Sequence, residues 1–151
     1  MSLYLQLKED LKDAMRAKEE TRLTTIRSVI SALTNELVAQ KKRPTDAPDD
    51  DMVMTVLTRL AKQRKEAADQ FRAGGRPELA ENEDTERTIL ETYLPAQLSY
   101  DEIVATVEAK KSALGIVDKT DMNKLMGAVM FELKGRAGGA DVRKAIEESF
   151  V

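Results

Sequence analysis

Two cations flank a glycine in Lys134-Gly135-Arg136-Ala137-Gly138-Gly139, the stretch of this chain best suited to presenting charge. Paired cations beside backbone N–H groups in a glycine-rich turn have the chemistry of a phosphate contact, which positions a nucleic acid without reading its sequence. Lys124, Arg143 and Lys144 lie near in the chain. Between residues 119 and 144, Lys119, Lys124, Lys134, Arg136, Arg143 and Lys144 outnumber Asp121, Glu132 and Asp141. The candidate RNA-contacting set is therefore Lys134, Gly135, Arg136, Lys124, Arg143 and Lys144. The competing reading is a solvated charged face, which is common on protein surfaces.

Catalytic constellations are largely excluded by what the chain lacks. It has no His and no Cys, which removes Ser-His and Cys-His nucleophile pairs and zinc–thiolate sites. No Walker loop, dinucleotide glycine fingerprint or Gly-x-Ser-x-Gly elbow is present. The acid run Asp49-Asp50-Asp51 lacks calcium-loop spacing and reads as the capped start of a helix. Asp118 and Asp121 have the same reading. No catalytic residue, metal ligand or cofactor site is expected.

The elements that must hold the turn are helical. Hydrophobic residues make up 42% of the 151, aromatics only 4%, and seven Met join the aliphatics, a composition suited to helix packing. Ser2 caps a first helix bearing Leu3, Leu7, Leu11, Ala14 and Met15. A second, from about Thr21 to Gln40, carries Leu23, Ile26, Ile30, Leu33 and Leu37, with Arg22 and Arg27 at its flanks. A proline-containing loop leads to a third from about Asp51 to Ala73. Gly74-Gly75 stops it, and Pro77 opens a fourth, polar from Glu81 to Glu86 and apolar at Ile89, Leu90, Tyr93 and Leu94.

Pro95 marks a boundary because proline cannot continue a helix. Residues 95–98 read as a linker between an N-terminal bundle of about four helices, 1–94, and a C-terminal three-helix domain, 99–151. Ser99 with Glu102 forms a capping box for the fifth helix, and Gly115 ends it. Thr120 or Asp121 starts the sixth, where Met122, Leu125, Met126, Val129, Met130 and Leu133 share a face and Gly127 suggests close approach of a neighbour. Gly135 suits the left-handed position that ends it. The seventh carries Val142, Ala145, Ile146 and Phe150. The fold class is all-α.

With a net charge of −3, nucleic-acid binding would have to come from a local patch. The absence of Cys, of an apolar signal core and of a membrane-length apolar run leads to the expectation of a cytoplasmic protein with no membrane partner.

Specific residues support a family resemblance. Arg22-Leu23 with Ile26-Arg27, Lys62-Gln63-Arg64, Tyr93-Leu94-Pro95-Ala96-Gln97-Leu98 and Asp121-Met122-Asn123-Lys124-Leu125-Met126-Gly127 through Lys134-Gly135-Arg136-Ala137 resemble the YqeY family. That family is similar to the GatB tail region of the tRNA-dependent amidotransferases. The resemblance runs essentially end to end. It implies a non-catalytic tRNA-binding or accessory protein, or alternatively a helical interaction module that docks on an amidotransferase or tRNA-modifying protein, with a link to carbon–nitrogen ligation with glutamine as amido donor whose catalytic regions have no counterpart here. Oligomeric state is not implied. The chain departs from the family pattern at Asn123, where Gly is frequent, at Phe131, where Pro is frequent, and at Gly138, where Asp is frequent. The last change removes a helix cap and an acidic charge.

Overall fold

The computed structural model describes residues 1–151. It is all helical: α1 Leu3–Ala17, α2 Glu20–Ala39, α3 Asp50–Ala73, α4 Pro77–Glu91, α5 Tyr100–Ala113, α6 Met122–Glu132 and α7 Gly139–Ser149. A 3-10 turn, Lys119–Asp121, precedes α6. The chain divides into two compact units, Met1–Leu94 and Pro95–Val151. No helix is long and apolar enough to cross a membrane.

Local chemistry sets the helix ends. The Ser2 hydroxyl accepts from Leu5 N–H, and the Asp49 carboxylate accepts from Met52 N–H at 2.8 Å. Asp50 reaches further and accepts from Leu3 N–H at 2.9 Å, joining the start of α3 to the start of α1. The acid run is thus used for capping. No group of three or more carboxylates stands together to hold a metal ion. Ser99 accepts from Glu102 N–H and its hydroxyl donates to the Glu102 carboxylate, both at 3.2 Å, so the pair caps α5 with the carboxylate held by the Ser99 side chain.

In the first unit α2 packs on α1, α3 and α4, and Leu7, Ile26, Val29, Leu33, Val56 and Leu57 are withdrawn from solvent. Each such side chain contributes about 1.5–3 kcal/mol by burial. Met15 departs from its expected face and is exposed. The polar stretch of α4 has its own role. Arg64 of α3 lies 2.8 Å from Glu86 and 3.6 Å from Glu83, and Arg72 pairs with Asp84. These pairs are a quarter to a half exposed and each is worth at most about 1 kcal/mol, so the apolar core holds the α3–α4 hairpin. Arg59 joins them by pairing with Glu36 of α2 at 3.4 Å.

Tyr93, just beyond α4, donates from its hydroxyl to Asp10 Oδ2 at 2.5 Å. Asp10 also accepts from Gln6 at 3.0 Å and lies 3.6 Å from Arg22, so one carboxylate ties α1, α2 and the end of α4 together. Burial, and then the Asp10 hydrogen bond, push the Tyr93 phenol well above its ordinary range. Because the folded-state value is raised, this contribution is complete below about pH 10 and is lost as pH rises from there toward the folded value. Tyr93→Phe is expected to cost about 1 kcal/mol at pH 8, below the roughly 1.5–3 kcal/mol of a hydrogen bond to a charged group because the site is only half-buried. The gap between the two proteins should shrink at pH 11 when both are unfolded in urea.

Candidate nucleic-acid interface

The second unit is a three-helix cluster in which α5, α6 and α7 each touch the other two. Its core is Ile103, Val107, Leu125, Val129, Leu133 and Ile146, all nearly inaccessible. Met122, Met126 and Met130 pack against it while partly buried. The stripe on α6 thus faces the core through Leu125, Val129 and Leu133.

Gly127 does not have the close neighbour expected of it. It is exposed, and a Cβ placed there would meet no heavy atom within 4 Å. Apolar residues surround it in sequence, but positions 123, 124, 127 and 131 fall on the solvent side of α6. Glycine at that face is therefore not explained by helix packing.

After α6 the backbone turns at Gly135, where φ is 77°. This is the left-handed region that a side chain would disfavour. Arg136 N–H donates to Leu133 C=O at 2.8 Å, closing the turn. Two further bonds come from the segment expected to be a linker. Leu98 N–H donates to Arg136 C=O at 2.9 Å, and the Gln97 side-chain amide donates to Gly135 C=O at 2.8 Å. Residues 95–98 belong to the second unit. Both carbonyls of the turn are thereby engaged, and the side chains of Lys134 and Arg136 are exposed.

The next helix adds to the local field. Gly138 is the N-cap of α7, extended at φ −78° and ψ 146°, with no side chain to cap the N–H groups that follow. The α7 cap bond runs from Val142 N–H to Gly138 C=O at 3.1 Å. The positive end of α7 thus opens beside the two cations, countered within its first turn by Asp141. The Arg136 N–H, by contrast, is already spent on Leu133.

The six candidate residues divide in space. Lys134, Gly135 and Arg136 form the turn itself. Lys144 lies on α7 with its ammonium 5.1 Å from the centre of the Tyr100 ring, and Tyr100 is bound through its hydroxyl to Glu148 at 2.5 Å. That bond pushes the Tyr100 phenol up to about 12. Arg143 is the exposed residue before Lys144. Lys124 is separated from Lys134 by almost the full length of α6, about 15 Å of helical rise, and so stands away from the turn. Sequence reasoning missed Gln97 and Leu98 as the residues that hold the turn, although both lie in its boundary motif. A polar amide directly after a Pro-Ala step, with no helix to sit in, was the available signal.

Comparison with known proteins places the chain in a family. Residues 5–150 match the family described as Yqey-like protein. The chain belongs to that family. Among curated proteins it is similar to "Altered inheritance of mitochondria protein 41, mitochondrial" from several yeasts. Identity is 33% over 105 residues with the Eremothecium gossypii protein, covering 68% of this chain and 56% of that one. With the Saccharomyces cerevisiae protein it is 32% over 129 residues, covering 82% and 68%. With the Kluyveromyces lactis protein it is 39% over 90 residues, covering 60% and 47%. The chain thus spans about half to two thirds of the length of these relatives.

The relatives' names overturn the cytoplasmic expectation, since each is named as mitochondrial. The physical reason is that an absent apolar signal core and absent cysteines do not separate one reducing compartment from another. A mitochondrial address is amphipathic and Arg-rich rather than apolar.

The uncapped start of α7 yields a direct test. Gly138→Asp places a carboxylate at a cap whose backbone is already extended and where a Cβ meets nothing within 4 Å. It should stabilise the second unit by about 0.5–1 kcal/mol through capping and the helix dipole. Native-state hydrogen exchange of the α7 amides should slow correspondingly.

Proposed function

We propose that the chain is a YqeY-type accessory protein that binds tRNA through the turn at Lys134–Arg136 and contributes contact rather than chemistry. The observation that carries this reading is the turn's polarity. Its carbonyls at Gly135 and Arg136 are engaged by Gln97 and Leu98, while two cationic side chains and the positive end of α7 face solvent. Such a surface attracts phosphate and carries no groups arranged to read base edges.

The residue inventory agrees. Without His, Cys or a nucleotide loop, a role in amide transfer would consist of bringing tRNA to an enzyme that holds the reacting groups. The overall charge of −3 makes the attraction local, so it acts within about a Debye length, near 8 Å at physiological salt. Arg143 and Lys144 are exposed on α7, with Lys144 drawn over the Tyr100 ring. Binding of this kind follows shape and phosphate spacing more than sequence.

Titration of the intact chain with tRNA at several salt concentrations tests the reading. Affinity should fall as salt rises, and Lys134→Ala with Arg136→Ala should weaken binding and lower the magnitude of the log–log salt slope by about 2, roughly one for each lost phosphate contact. Equal affinity and equal slope in the wild type and the double variant would remove the turn from consideration.

A further inference from the structure

Phe131 is the least expected feature of α6. Its side chain is 86% exposed, on a helix whose other large apolar residues face the core or pack beside it. Single exposed apolar residues are ordinary. The surroundings of this one are not.

Lys124, Gly127 and Phe131 follow one another at spacings of three and four, which aligns them on a single solvent-facing stripe of α6, and Lys134 lies in the turn just beyond the helix end. All except the glycine carry a side chain suited to a nucleic acid, and the glycine leaves space. No heavy atom lies within 4 Å of where its Cβ would stand, so the Phe131 ring does not fold down over it. From Met122 to Ala140 the sole carboxylate is Glu132, and it is paired with Lys110 of α5 at 3.3 Å. The ring is therefore open to solvent, after Lys124 on the same helix and before Lys134 in the turn that follows.

We propose that Phe131 is a stacking platform for an unpaired nucleobase of a structured RNA, held in place by phosphate contacts at Lys124 and Lys134. The inference rests on the RNA-binding reading above and narrows it, because the target must offer an unstacked base in a loop or at an end rather than a continuous duplex. An aromatic between cations is the arrangement by which sequence-tolerant RNA binders hold single-stranded bases. A neutral protein surface would be served by the apolar ring alone, whereas a nucleic acid uses both the ring and the cations. The open space at Gly127 gives a planar base room to slide beside the ring.

The chain contains no Trp, so Phe131→Trp introduces a single fluorescent reporter at this position. Bulk tRNA should quench its emission, and a blunt RNA duplex with the same number of phosphates should bind without comparable quenching. Phe131→Ala and Phe131→Leu should each weaken tRNA binding by roughly 5- to 150-fold with the salt slope unchanged, and the Leu variant should not rescue. If the wild type binds tRNA and loses affinity with Lys134→Ala and Arg136→Ala, yet the Phe131 variants bind normally and no quenching occurs, stacking is overturned and the phosphate reading stands. If the wild type binds no RNA, both fall. Emission that changes with protein concentration alone would point to a second copy on this face and would also overturn the proposal.

Discussion

The hydrogen bond from Leu98 N–H to Arg136 C=O, with its neighbour from Gln97 to Gly135 C=O, is the constraint on which the candidate interface depends. The Gly135 and Arg136 carbonyls lie beyond the end of α6 and have no partner in that helix. Left in solvent, those carbonyls would present partial negative charge between Lys134 and Arg136 and would let the turn fluctuate. Bonding them to the segment after Pro95 removes both effects. Gln97 and Leu98, just before the Ser99 cap of α5, thus close the turn between α6 and α7.

The same boundary motif serves each unit separately. Tyr93 and Leu94 belong to the first, where the Tyr93 hydroxyl joins Asp10 and through it Arg22. Gln97 and Leu98 belong to the second. A six-residue stretch therefore supplies an anchor to each unit, with Pro95 and Ala96 between the anchors. Arg22 and the boundary residues, which in sequence look like an ordinary flanking charge and an ordinary linker, have defined partners. The family match over residues 5–150 covers both anchors and the turn.

Most of the fold was legible because helices announce themselves locally. Ser2, Asp49 and Ser99 are caps whose side chains reach only three residues along the chain, and Gly115 and Gly135 stop helices through their own backbone freedom. The readings that failed concern distant neighbours. The spacing predicts that Gly127 touches another helix, yet periodicity cannot say which side of a nearly all-apolar helix meets a partner, and the structure turns that residue to solvent. Gln97 bonds a residue 38 positions away, a separation no local pattern reports. The charges of the site were legible as a set, but not that Lys124 stands at the far end of α6 or that Lys144 is drawn over Tyr100. Cellular location was misread because it is encoded in address segments rather than in the fold.

The central claim is that the turn binds because it is held, not merely because it is charged. Gln97→Ala tests this most directly, since it removes one of the two bonds and leaves every charge in place. Hydrogen exchange at the Leu98 and Arg136 amides, measured alongside tRNA affinity in the intact protein, should show faster exchange and weaker binding with the same salt slope as the wild type. Faster exchange with unchanged affinity would contradict the account, because it would mean that the cations act without the geometry that presents them.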